Sequence, residues 1–170
     1  MTNAAKQDRF VHLIDENRKI LYKVAGTYAW NEADRQELVQ EMALQLWRSF
    51  ERYDERHRFS TWMYRIALNV AISFVRTETR RAKNIVPAED SIPSVLERAA
   101  ASEPAASDDL RLLDEFIRNL DELDRALVLL YLDGHRHDTI AEILGISETN
   151  VGTKIGRIKQ RIRRDWPGPH

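Results

Sequence analysis

One stretch constrains this chain more than any other. From His137 to Arg164 it alternates between apolar anchors at helical spacing and a dense run of cations. Val151, Ile155, Ile158 and Ile162 follow one another at intervals of four, three and four, the signature of one buried helical face. Lys154, Arg157, Lys159, Arg161, Arg163 and Arg164 occupy the other faces. A shorter helix is expected before it, over Asp138 to Leu144, with Ile140, Ala141 and Leu144 on its inner side. Gly145 suits the turn between them, because a residue without Cβ reaches positive φ cheaply. Ser147 is a good N-cap for the second helix, and Glu148 complements the positive end of its dipole. This is the pattern of a helix-turn-helix with a basic second helix. In such motifs the second helix lies in the major groove, its N-terminal residues nearest the base edges.

Whole-chain charge hides this polarity. The 170 residues carry 26 Lys and Arg against 27 Asp and Glu, a net charge of −1. From Ser147 to Arg164 there are six cations and one acid, whereas Asn84 to Leu110 holds six acids and one cation. Distribution, not the total, decides whether nucleic acid binds. There is no cysteine, which removes disulfides and Cys-based zinc sites from consideration. His135 and His137 match no metal-ligand spacing, and no cofactor motif, nucleophile elbow or phosphate-binding glycine loop is present. The composition therefore points away from an enzyme. The N-terminus has no apolar signal core and no apolar run approaches a membrane span, so a cytoplasmic protein is expected.

Strand-like alternation is missing, and the expected fold class is all-α. Two small helical domains are anticipated, over residues 1–82 and 108–166. An acidic, flexible linker rich in Ala, Ser and Pro joins them over 83–107, and 167–170 is a tail. Within the linker, Val95 and Leu96 are the residues suited to a transient helix or a binding point. The N-terminal domain reads as three helices, Arg9 to Trp30, Asn31 or Asp34 to Phe50, and a third capped by Ser60 and running to about Arg81. On the third, Trp62, Ile66, Val70 and Phe74 form the apolar side. Around it aromatic residues interleave with arginines. That suits single-stranded nucleic acid, whose bases stack on rings while cations track phosphates, but rings at helical spacing also suit a core. Helices near Asp108 to Asn119 and Glu122 to Asp133 precede the helix-turn-helix.

Three segments in this order resemble a bacterial RNA polymerase sigma factor of the extracytoplasmic-function group, in the sigma-70 family. Asp34 to Phe50 (DRQELVQEMALQLWRSF) resembles the core-polymerase binding segment. Phe59 to Arg81 (FSTWMYRIALNVAISFVRTETRR) resembles the segment that melts and reads the −10 promoter element, and Leu120 to Arg164 the domain that reads the −35 element. The resemblance implies that Asp34, Glu37, Gln40 and Glu41 contact the clamp helices of the largest polymerase subunit. It implies −10 DNA contacts by Tyr53, Arg58, Trp62, Arg65, Asn69, Ser73, Arg76 and Arg80, with Tyr53 to Arg58 as a base-capturing loop; Arg81 is a further phosphate contact. It implies −35 contacts by Thr149, Asn150, Thr153, Lys154, Arg157 and Lys159. Gly152 departs from relatives that carry lysine there, and Gly156 repeats the glycine one turn on: close approach to DNA and drift tolerated by a well-anchored helix both remain open. The implied function is promoter-specific initiation on core RNA polymerase, with duplex DNA at −35, single-stranded DNA at −10, and no catalysis or cofactor. An anti-sigma protein is the implied controlling partner, able to hold the factor at a membrane without insertion. The alternative is a stand-alone helix-turn-helix regulator that binds duplex DNA as a dimer without polymerase.

Overall fold

The computed structural model describes residues 2–84 and 107–166, and every regular element among them is helical. The chain divides into two units, Met1–Ala101 and Ser102–His170. The linker expected over 83–107, with Val95 and Leu96, and the tail at 167–170 fall almost wholly outside the described residues.

The first unit is a three-helix bundle of α1 (Asn3–Tyr28), α2 (Glu32–Ser49) and α3 (Phe59–Asn84), each packed on the other two. Helix α1 starts six residues earlier than its apolar pattern suggested, because the Thr2 side chain caps it by accepting from the Ala5 N–H at 3.3 Å. Its end at Tyr28 reflects extended backbone at Ala29. Asn31 caps α2, its Oδ1 accepting from the Asp34 N–H at 2.8 Å. A 3-10 turn over Phe50–Arg52 closes α2 and leads into the loop before α3. Helix α3 begins at Phe59, so Ser60 sits inside its first turn instead of capping it.

The core of this unit is contributed by one stripe from each helix. Leu21, Val24, Ala25 and Tyr28 come from α1, and Leu38, Met42 and Leu46 from α2. From α3 the buried residues are Phe59, Met63, Tyr64, Ala67, Leu68 and Ala71. The expected apolar side of α3, Trp62, Ile66, Val70 and Phe74, is only half-buried. It flanks the core because Met63, Ala67 and Ala71 lie about 100° further round the helix and face α1 and α2 directly.

The second unit contains α4 (Asp108–Arg118), α5 (Glu122–Leu132), α6 (His137–Leu144) and α7 (Glu148–Asp165). Leu127, Leu130, Ile140, Ile143, Val151, Ile155 and Ile158 form its core. Arg125 is buried among them and closes the α4–α5 corner. Its guanidinium donates to the carbonyls of Leu120 at 2.9 Å and Arg118 at 3.1 Å, carbonyls that a helix end leaves without helical partners. Gly145 ends α6 in the left-handed region at φ 69°, and Ser147 caps α7 by accepting from the Asn150 N–H at 3.1 Å. The α6–turn–α7 motif is thus built as its residues indicate.

Gly145→Ala should cost about 1 kcal/mol, since an L side chain in this conformation is strained even though nothing crowds the position. Urea denaturation of the full chain, followed by the midpoint of the second unit, measures it.

Candidate nucleic-acid interface

At about 100° per residue, Arg65, Asn69, Ser73, Arg76 and Arg80 fall within an arc of about 80° on α3. All five are exposed. Residues spread over sixteen positions of sequence therefore become one ridge, with two short polar side chains between three arginines. Opposite this ridge lies the buried stripe from Met63 to Ala71, which sets the rotation of the helix.

Trp62 falls on the same arc, three residues before Arg65, but its ring, like that of Tyr53, is held against other rings. Their rings belong to a cluster that joins all three helices. Phe10 of α1 stands 5.1 Å from both Trp47 and Phe50. Tyr53 lies 5.1 Å from Trp62 and 5.3 Å from Phe59, and Phe59 lies 5.2 Å from Trp62. The Tyr53 hydroxyl donates to the His57 carbonyl at 2.8 Å, and burial raises the pKa of its phenol. Both rings are half-buried supports of the loop rather than free stacking platforms. The loop is further closed on itself. The Asp54 carboxylate accepts from the Arg56 N–H and guanidinium, which lowers the carboxyl pKa, and the His57 N–H donates to the Asp54 carbonyl at 3.0 Å. Arg58 is exposed beside this frame, and so is Arg52, one of the arginines interleaved with the aromatic residues.

The acidic positions of α2 do not form a single patch. Asp34 is drawn into the helix cap, its Oδ2 accepting from Asn31 Nδ2 at 3.0 Å. Glu37, Gln40 and Glu41 are exposed within an arc of about 100° that also contains Leu44, an apolar side chain 41% exposed. Leu44 falls in the same register, one turn after Gln40, and only its apolar character hid it. Glu37 and Glu41 also wall a groove of about 450 Å³ whose floor is Ile66, Val70 and Phe74 and whose far wall includes Asn69 and Ser73. Gln40 instead faces a groove shared with Tyr22 and Gly26 of α1.

On α7, Thr149, Asn150, Thr153 and Arg157 are exposed and turned away from the core. Gln160 continues that face one turn on. Two of the expected cations point back toward α5. Lys154 Nζ lies 3.9 Å from Asp124 Oδ1, and Lys159 stands over the Tyr131 ring at 4.7 Å. Partial burial, then the neighbouring Asp121, raises the pKa of Asp124, and Lys154 acts against that rise. A Cβ at Gly152 would make only ordinary contact with the His137 ring at 3.8 Å, and one at Gly156 would meet nothing. The protein's own packing requires glycine at neither position.

Known proteins share both halves of this arrangement. The Sigma-70 region 2 family matches residues 13–81, and the Sigma-70, region 4 family matches residues 110–162. The ECF RNA polymerase sigma-E factor of Haemophilus influenzae is 32% identical over 154 residues, spanning 82% of this chain and 79% of that protein. The chain belongs to the extracytoplasmic-function (ECF) group of the sigma-70 family. The ECF RNA polymerase sigma factor SigW of Bacillus subtilis is 24% identical over 93% of this chain and 89% of its own length. The structure of CnrH in complex with the cytosolic domain of CnrY shares the fold, with a TM-score of 0.64 at 21% identity over 93% of this chain and 87% of that one. The sigma factor RpoE in complex with the anti-sigma factor NepR from Bartonella quintana does so equally, with a TM-score of 0.64 at 15% identity, over 93% of this chain and 94% of that one. The chain is thus a sigma subunit, a regulator of transcription initiation. The α3 ridge and the 53–58 loop lie inside region 2, and the exposed face of α7 inside region 4. Among the described residues no group of three or more His, Asp or Glu side chains could hold a metal, and no helix is long and apolar enough to cross a membrane.

Gly156→Ala should stabilise α7 by about 1 kcal/mol, because the site is open and alanine is the better helix former. Thermal unfolding reads this. A gain in stability accompanied by weaker −35 binding would mean that the glycine serves DNA approach; unchanged binding would mean tolerated drift.

Proposed function

We infer that this sigma factor divides its contacts by helix face. The outer ridge of α2 meets polymerase, the outer ridge of α3 with the 53–58 loop meets −10 DNA as a single strand, and the exposed face of α7 meets the −35 duplex. The observation that carries this reading is the α3 ridge. Asn69 and Ser73 have the hydrogen-bonding groups to read bases, and the flanking arginines have the charge to hold phosphates. Opening the duplex costs a few kcal/mol per flipped base, which contacts to unstacked bases offset. Catalysis remains with the polymerase, and the factor supplies no chemistry of its own. A dimeric regulator acting without polymerase would have no need of such a ridge.

The acid-rich surface around Glu37 and Glu41 fits a basic partner, the clamp helices of the largest polymerase subunit. Leu44 in its midst supplies the apolar contact that an interface core favours. On α7, Thr149, Asn150, Thr153 and Arg157 are the proposed readers, with Lys154 and Lys159 contributing charge from the flank. An anti-sigma protein is proposed as a further partner. Its support is the fold shared with a sigma factor solved in complex with the anti-sigma factor NepR.

Run-off transcription with purified core polymerase and a random promoter library tests the reading. Initiation is expected from templates that share spaced −35 and −10 elements. Duplex binding without affinity for core would overturn it. Glu37→Lys combined with Glu41→Lys should weaken core binding about tenfold by reversing charge, while leaving the fold intact. Arg157→Ala should weaken −35 binding and reduce the slope of its salt dependence by about one, as expected for one lost phosphate contact.

A further inference from the structure

The loop from Phe50 to Arg58 is acidic in sequence as much as basic, which is a liability in a segment meant to approach DNA. Glu51, Asp54 and Glu55 accompany Arg52, Arg56 and Arg58. Each of the three acids is answered by a cation. Arg56 takes Asp54 from within the loop. The other two are taken from a helix more than forty residues away in sequence. Lys6 of α1 pairs with Glu51 at 2.6 Å, and Arg9 of α1 pairs with Glu55. Lys6 also stands over the Trp47 ring at 4.9 Å, and Lys6 holds the Glu51 carboxyl below its ordinary range. One residue after Arg9, Phe10 packs against both Trp47 and Phe50 at the root of the same loop. Among the described residues no ion pair engages Arg52 or Arg58, so these two cations are left for another partner.

We propose that the N-terminal turns of α1 form a strap that positions the 50–58 loop for the −10 strand, with Lys6, Arg9 and Phe10 as positioning residues. Phe10 fixes where the loop leaves α2. Lys6 and Arg9 neutralise the two carboxylates that would repel phosphate and hold them on the α1 side of the loop. The loop then presents Arg52 and Arg58 as its net charge. The strap acts through the loop, and it rests on the reading that this loop takes part in −10 recognition. Exposed ion pairs stabilise a fold little, so the strap's effect belongs to promoter opening more than to stability.

The test uses the full chain with core polymerase on a template selected by run-off transcription. Strand opening is followed by 2-aminopurine fluorescence in the −10 element, alongside core affinity and the thermal midpoint. Arg9→Glu should slow opening about fivefold, the scale of a lost exposed pair, with core affinity and midpoint unchanged. Arg9→Glu joined to Glu55→Arg should restore opening to within about twofold, because residues in contact couple non-additively. Lys6→Glu, alone and joined to Glu51→Lys, repeats the test independently should Arg9→Glu fold poorly. Slowing that the reversed pairs do not rescue would mean that these cations touch DNA themselves, and would overturn the strap. Opening at the parental rate in the α1 variants, with slowing by Arg58→Ala, would overturn the strap and leave the loop's role standing. Unchanged opening in both would remove the loop from −10 recognition and the strap with it.

Discussion

The ring cluster around Phe50 is the contact on which the first unit's working surface depends. Phe50 ends α2, and the chain must then cross to α3 through a polar loop. Phe10 holds it from α1, Trp62 from α3, and Tyr53 from the loop itself. Aromatic pairs add about 0.5–1.5 kcal/mol each beyond their buried area, whereas exposed ion pairs contribute about 0–1. The rings therefore decide where the loop sits. The ion pairs from Lys6 and Arg9 decide what charge it shows.

A second constraint is that the principal helices do two jobs on opposite faces. On α3 the buried stripe from Met63 to Ala71 and the ridge from Arg65 to Arg80 share one rotation, so packing the first aims the second. On α7 the stripe of Val151, Ile155 and Ile158 does the same for Thr149, Thr153 and Arg157. Sites mounted on packed helices hold their geometry better than sites on loops. Beside the α3 ridge, Glu37 and Glu41 make the α2 side of the groove negative. Phosphates would be repelled from that side and drawn toward the arginines, so the proposed division between polymerase and DNA surfaces has an electrostatic basis as well as a steric one.

The near-neutral net charge is reconciled by this segregation. Acids gather on α2 and through the residues before α4, and cations on α3 and α7. Several acids on the segments proposed to face DNA are locally paired, as Asp54 is by Arg56 and Asp165 by Arg164. What a partner meets is the unpaired remainder, which is more basic than composition suggests on those faces.

Much of this was legible without a structure. The helix-turn-helix was readable down to its left-handed glycine and serine cap, because turn and cap chemistry are local. The all-α class and the order of helices followed from apolar spacing, and the region 2 and region 4 resemblance from three segments in sequence. Spacing finds a stripe but not its depth. It took the half-buried Trp62, Ile66, Val70 and Phe74 for the apolar side of α3, when Met63, Ala67 and Ala71 carry the core, since which of two adjacent stripes is buried depends on where α1 and α2 lie. It likewise gave no sign that Lys154 and Lys159 meet Asp124 and Tyr131 of another helix. It said nothing of Lys6 and Arg9, whose partners are more than forty residues distant. Local pattern determined the elements and the kind of surface each would bear; only packing between helices decided which side chains remain free to act, because pairing across elements leaves no periodic trace in the chain.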